Sequence, residues 1–449
     1  MRFKGTAALL VVFAILGAFV YFSEVRGKDE RQKQEEAKKK AVNIDQNDVV
    51  EISLVYPDLT ITGVKKGEKQ WEITNPAGVE ADPDEWDSLA SNISRIERQN
   101  TVTSQPGDLS QFGLQNPSVK IITKTKNGKT IDLAMGSENP RKTFNYAKFS
   151  DSNDVFLTPT SSAGMFKKTL MDLRNKKVLE FEPDDIDAVR IADKRNELEF
   201  QKNGSDWSVK KPSETKADNS EVTSFVSSVR YARASSFPES TVDAKTAGLQ
   251  PAVTRITLHD AKAKTDRVLL VGNSPEKDKY YAMDASRPTI LIIDKDIPEK
   301  ARRPLGDWRD KSITQLQRDK IEEIEIQHGS DKFTIKKADT DWKLDDGRKL
   351  QFDKVSGLLS ALDFEKAKSI IDAPGPLAQY ALDKPKLEVI FRQGTNELLR
   401  LAFGGDSKNP EGIYIKTSDS VSVKIAGKDV YDKFNVKAED LVEAAKTSQ

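Results

Sequence analysis

A chain that carries one pattern three times at a fixed interval is restricted to an array of like modules, and this chain does so. Near its middle, Trp207 is followed by Pro212, by Ala217-Asp218 at the head of a helical pattern, and by Gly248-Leu249-Gln250-Pro251. Val271-Gly272 and Tyr281-Ala282 complete the series. Upstream the same order reads Trp71, Pro76, Ala81-Asp82, Gly113-Leu114-Gln115-Asn116-Pro117, Met135-Gly136 and Tyr146-Ala147. Downstream it reads Trp342, Asp353, Ala381-Leu382-Asp383-Lys384-Pro385, Phe403-Gly404 and Tyr414-Ile415. The tryptophans lie 136 and 135 residues apart, an interval at which one hydrophobic core can close.

Within each unit the hydrophobic period changes. Val50, Ile52, Leu54 and Tyr56 alternate as a half-buried strand does. Asp82-Pro83-Asp84-Glu85 then predicts a helix start with an aspartate version of the capping box, Pro83 being preset for the first helical position. Trp86, Leu89, Ala90, Ile93 and Ile96 share one face of that helix. Asp218 and Glu221 repeat the cap, and Val222, Phe225, Val226 and Val229 repeat the stripe. In the third unit Val355, Leu358, Leu359 and Leu362 keep the stripe, out of register with Asp353. Strands return after the helix, with Asn127-Gly128 predicting a two-residue hairpin turn and Met165 to Leu173 a closing helix. The fold class expected is α+β: an N-terminal transmembrane helix, then three tandem repeats, each a mainly antiparallel sheet with one or two packed helices.

Thr6 to Phe22 is 17 residues without a charge. As a helix it spans roughly 26 Å, close to a hydrocarbon core of roughly 30 Å. Phe19-Val20-Tyr21-Phe22 offers no small-x-small cleavage site, which predicts a retained signal anchor. The short basic N-terminus, with Arg2 and Lys4, favours the N-in orientation and translocation of the large C-terminal part. Glu24 to Ala41, with 12 charges in 18 residues, predicts a solvated spacer. The expected divisions are 1–23 membrane anchor, 24–47 charged linker, 48–180 first repeat, 181–315 second repeat and 316–449 a divergent third repeat.

Charge excludes one class of partner. The chain has 71 basic and 71 acidic residues, and beyond residue 41 these fall to 62 and 66. No basic field exists to attract phosphates, so nucleic-acid binding is not expected. The absence of cysteine excludes disulfides, thiol catalysis and thiolate metal sites.

Searching for chemistry yields no catalytic, cofactor-binding or metal-binding residue. His259 and His328 lie in different repeats, outside any short ligand spacing. Gly128-Lys129-Thr130 lacks the earlier glycine of a phosphate loop, and Gly272-Asn273-Ser274-Pro275-Glu276 lacks the second glycine of a nucleophile elbow, so a tight turn is expected there and at the corresponding Gly136-Ser137 and Gly404-Gly405. Asp184, Asp185 and Asp187, or Asp151, Asn153 and Asp154, lack the glycine and distal glutamate of a calcium loop. Arg174 and Arg309, at equivalent module ends, are expected to serve the boundaries.

The order Trp, Pro, Ala-Asp plus amphipathic helix, Gly-Leu-x-x-Pro, Leu-x-Gly, Tyr-Ala and Leu-Arg-x-Lys, over about residues 48 to 440, resembles the bacterial family known as domain of unknown function 4340 (DUF4340). The third repeat departs from it: Ala381 stands for the turn glycine, Tyr414-Ile415 for Tyr-Ala, and Tyr431-Asp432-Lys433-Phe434 where the arginine segment is expected. The resemblance implies a membrane-anchored accessory protein beside an ABC-type exporter and a gliding-motility-like auxiliary protein. The expectation is therefore a non-enzymatic scaffold or binding protein, anchored in the bacterial inner membrane through residues 6–22 as a single-pass protein. Its bulk is expected on the periplasmic or extracytoplasmic side, and an ABC permease and the auxiliary protein are the expected partners. The alternatives are an envelope carbohydrate-processing hydrolase and a passive cell-wall polymer-binding module.

Trp71, Trp207 and Trp342 could line a groove, but recurrence at one place in every module is what core packing predicts. A buried indole of about 200 Å² contributes on the order of 5 kcal/mol before entropy is counted. Trp207→Ala is expected to cost the middle module roughly 3–5 kcal/mol, read from its thermal unfolding; an unchanged melting would favour the groove.

Overall fold

The computed structural model describes Tyr21 and residues 39–443. The expected membrane span, residues 6–22, lies outside the described residues apart from Tyr21. Among the described residues no helix is long and apolar enough to cross a membrane. The chain divides into two compact units, one up to Lys176 and one from Lys177 onward. The first holds one antiparallel sheet and the second holds two.

All three sheets share one plan, two meanders whose first strands lie side by side. In the first unit Val49–Val55, Thr60–Gly67 and Gln70–Asn75 form one meander. Val119–Thr125, Thr130–Glu138, Phe144–Phe149 and Val155–Pro159 form the other, and Val49–Val55 pairs with Val119–Thr125. The second sheet repeats this with Ile186–Asp193 beside Thr254–Asp260, and the third with Glu323–His328 beside Leu387–Gln393. Between the meanders runs one long helix: Pro83–Ser94, Asn219–Tyr231 or Phe352–Phe364.

Each helix lays its apolar stripe on one face of its sheet. Trp86, Leu89, Ala90 and Ile93, then Val222, Phe225, Val226 and Val229, then Val355, Leu358, Ala361 and Leu362 are buried. Trp71, Trp207 and Trp342 are 7%, 3% and 7% exposed, members of the three main cores as the repetition predicts. Residues expected in the linker join the first core as well. The Ala41 amide donates to the Ile96 carbonyl, Val42 is buried, and Ala41 and Ile44 pack on the core.

The helix starts differ from the expected capping box. Asp82 accepts from the Asp84 amide, but its own amide donates to the Leu173 carbonyl at 2.9 Å, not to Glu85. Glu85 instead pairs with Lys168 at 2.8 Å, and Glu221 with Arg303 at 2.8 Å. The Asp218 amide likewise donates to the Trp308 carbonyl, and the Gln351 amide to the Leu441 carbonyl. Gln351, two residues before Asp353, is therefore the third cap, which removes the apparent slip of the third stripe: Trp86, Val222 and Val355 each lie four residues beyond the cap. The same contacts correct the third module end. Leu441-Val442 stands where Leu173-Arg174 and Trp308-Arg309 stand, while Tyr431 to Phe434 belongs to the helix Lys428–Phe434. The closing helix expected over Met165 to Leu173 is two short helices, Thr160–Gly164 and Leu170–Leu173. The second starts at a reciprocal cap between Thr169 and Asp172.

Two turn expectations are also revised. Only Gly128 in the Lys126-Asn127-Gly128 loop has positive φ, at 81°, and its amide donates to the Thr125 carbonyl. That is a three-residue loop closed by a left-handed glycine, in place of the two-residue turn. Gly136 and Gly404 lie within strands at register shifts, not at tight turns. On each of these glycines sits a backbone carbonyl of the Gly-Leu segment, so that a Cβ would lie 2.2 Å from the Phe112 oxygen or 2.2 Å from the Tyr380 oxygen. Gly272 meets the Ala247 oxygen in the same way, at 2.0 Å. Leu114, Leu249 and Leu382 are thereby pressed onto the face opposite the helix and form a second, smaller core in each module.

The residue before that leucine is left-handed in all three modules: Gly113 at φ 65°, Gly248 at φ 69° and Ala381 at φ 52°. Ala381 thus keeps the backbone of the glycine it replaces. Ala381→Gly is expected to stabilise the third module by about 0.5–1 kcal/mol, whereas Gly404→Ala is expected to cost roughly 1–3 kcal/mol through collision with the Tyr380 carbonyl. Slower and faster hydrogen exchange, respectively, of amides in Leu387–Gln393 is the measurement; shifts of the opposite sign would refute the docking argument.

Candidate functional site

The second unit contains a joint in which the residues linking its two sheets are fastened to both. The closing segment of the second module ends at Trp308, whose carbonyl is held by the Asp218 amide. Arg309 comes next and turns its guanidinium toward the third module. Its Nη1 donates to both oxygens of Asp372, at 2.8 and 2.6 Å, and its Nη2 to Thr215 Oγ1 at 3.3 Å. The Arg309 side chain is 14% exposed, so this charge has been taken largely out of water and needs the fork it makes.

The linker beyond it is pinned by its own polar groups. The Asp310 amide donates to the Lys216 carbonyl. Its carboxylate accepts from the Ser312 amide and hydroxyl and from Gln315 Nε2. From the third module Lys424 Nζ donates to the carbonyls of Ser312 and Ile313, at 2.9 and 2.6 Å. Burial pulls the Lys424 ammonium below the ordinary lysine range, with Asp419 and Asp310 opposing. The Ala367 amide donates to the Lys311 carbonyl, and Lys366 Nζ reaches the second helix's cap, Asp218, at 2.7 Å. Burial alone would raise the Asp218 carboxyl; Lys366 and Ser220 outweigh it and hold the group below the usual carboxylate range.

A cleft of about 210 Å³ remains here, lined among others by Lys216, Arg309, Asp310, Asp419 and Lys424. Its charges serve one another and the linker. Both Asp310 oxygens accept hydrogen bonds, Asp419 accepts from Thr314 Oγ1, and Lys216 donates to Gln315. The chemistry such a set performs is fastening: it exchanges hydration of the linker for fixed charge-assisted hydrogen bonds that hold two sheets in one body.

The residues weighed from sequence lie apart from one another. His259 Nδ1 meets Asp266 Oδ1 at 2.9 Å across a hairpin, and that carboxylate raises the imidazole pKa. His328 Nε2 lies 3.1 Å from the Val436 carbonyl. Asp184 and Asp185 sit in the turn Pro183–Asp185, where Asp185 faces Lys262 at 3.6 Å, and Asp154 pairs with Arg98 at 2.5 Å. Among the described residues no group of three His, Asp or Glu side chains is placed to hold a metal ion. Arg309 was legible as a boundary residue; Asp372 and Lys424 carry no sequence signal, because only packing brings them to it.

Asp372 is 62% exposed, which limits the pair's worth to about 1 kcal/mol. Asp372→Asn is expected to speed exchange of the Asp310 and Ala367 amides about fivefold while leaving the sheet interiors unchanged. Unchanged exchange at those two amides would show that Arg309 does not fasten the joint.

The family comparison agrees with the repeat geometry. The model described as Domain of unknown function (DUF4340) matches residues 71–252, 207–363 and 342–447, each match beginning at one of the three recurring tryptophans. No curated protein and no solved structure matches the chain. With three matched segments that together run from residue 71 to residue 447, the chain belongs to the DUF4340 family.

Proposed function

We propose that this protein is a membrane-anchored extracytoplasmic scaffold or binding protein, an accessory component of an ABC-type export or gliding-motility-like envelope complex. The observation that carries the scaffold reading is the joint. The second and third sheets are fastened by Arg309, Asp372, Lys366, Asp218 and Lys424, and a body with two modules at a fixed spacing presents two surfaces to a partner together. Holding both surfaces in place removes an ordering cost from each binding event. The residues that define the repeat are spent on cores, caps and turns, which leaves the exposed faces free to differ among modules. The apolar run Thr6 to Phe22 supports anchoring, and the family resemblance nominates the transporter and its auxiliary protein.

Crosslinking through the described modules in native membranes, followed by mass spectrometry of the captured chains, tests this proposal. Enrichment of a permease or its auxiliary protein is expected. Capture of wall polymer, or of no transport component, would overturn it.

A further inference from the structure

The three modules invite a comparison of their outer faces, the side of each sheet away from the long helix. At one register the first module carries Lys120, Ala134 and Lys148 on three adjacent strands, and the third carries Glu388, Ala402 and Lys416. In both, the charge on the first strand is neutralised by the next strand, Lys120 by Asp132 at 3.5 Å and Glu388 by Arg400 at 3.6 Å. The middle module places Arg255, Leu270 and Met283 at these positions, and Val268 where Asp132 and Arg400 stand. In the middle module the strip is apolar, and its first-strand cation has no such counter-ion.

Arg255 is exposed and has no ion pair among the described residues, and neither does Lys194 nearby. Asp193 Oδ1 accepts from the amides of Arg195 and Asn196, and this carboxylate makes no ion pair with Arg255 or Lys194. Between the strand end at Asp193 and the turn at Leu249 to Ala252 lies a cleft of about 610 Å³, lined by Leu249, Leu270 and Met283 together with the charged Asp193, Lys194 and Arg255. It occupies a sheet face, not a sheet edge. A peptide laid there would bury amides against aliphatic walls without a ladder to receive them, which is unfavourable. An aliphatic chain has no such groups.

We propose that this cleft in the middle module binds an aliphatic monocarboxylate, the chain against Leu249, Leu270 and Met283 and the carboxylate at Arg255. The inference stands on the outer face alone and does not depend on the scaffold reading. Apolar surface supplies the attraction and the unpaired guanidinium the choice of headgroup.

The full chain, reconstituted in lipid nanodiscs with labelled methionine methyl groups, permits a direct test. It has five methionines, of which Met283 lines the cleft and the exposed Met165, in the first module, reports non-specific contact. Met283→Leu assigns the reporter signal by its loss. Hexanoate, hexanol and hexylammonium are the probes. Hexanoate is expected to shift the Met283 methyl resonance saturably without moving Met165, with half-saturation about fivefold lower than for hexanol, and hexylammonium is expected to be weaker than both. Arg255→Gln, an exposed change that leaves the fold intact, is expected to erase the difference between hexanoate and hexanol. No saturable shift at Met283, equal shifts at Met165, equal binding of hexylammonium, or a hexanoate preference that survives Arg255→Gln would each overturn the proposal.

Discussion

The structure turns on a backbone hydrogen bond made three times, from the amide of a helix cap to a carbonyl near the end of its own module. Asp82 to Leu173, Asp218 to Trp308 and Gln351 to Leu441 close chain segments of about ninety residues over one helix start. The first amides of a helix have no partner within it; here the cap's own amide is used to fix where the module ends. In the middle module that ending also sets the course of the linker. With Trp308 held, Arg309 has one place to go, and the joint to the third sheet is built around it.

The same closure couples positions in the core. Under the first helix Gly63 lies against the Trp86 ring, where a Cβ would come within 2.4 Å of it, and the end residue is Leu173. At the corresponding places the middle module has Phe200, Val222 and Trp308, with Phe200 and Trp308 5.3 Å apart and Phe225 set edge-on to the same indole. The third has Ile335, Val355 and Leu441. The large ring sits on the helix in one module, on the closing segment in another and nowhere in the third. Each module fills this contact with its own set of side chains, so close packing does not fix the identity at each position. This explains why the recurring tryptophans at 71, 207 and 342 mark the repeat while Trp86 and Trp308 do not.

Repetition also separates what the fold needs from what a module can vary. Gly136, Gly272 and Gly404 cannot take a side chain without displacing the docked turn, because one of its carbonyls occupies the volume of a Cβ. Ala381 shows a tolerated departure, a left-handed alanine kept because the surrounding turn demands that backbone. Outer-face positions are under neither demand. There the first and third modules keep ion pairs between adjacent strands, while the middle one presents Val268, Leu270 and Met283 beside Arg255.

The sequence by itself determined the module count, the α+β class, the helix stripes and the burial of the repeated tryptophans, because period and recurrence are local or arithmetic signals. It also pointed to Arg309 as a boundary residue. What it could not carry was any relation that needs two distant segments in place. The cap amides go to carbonyls about ninety residues away, which the nearby glutamates concealed, and the third module's end was misplaced because Leu441-Val442 shares its position with Trp308-Arg309 but not its composition. The partners of Arg309 and the missing counter-ion of Arg255 were likewise decided by tertiary structure alone. Pairing across strands and across modules follows from register and packing, and neither is written in the identity of a single residue.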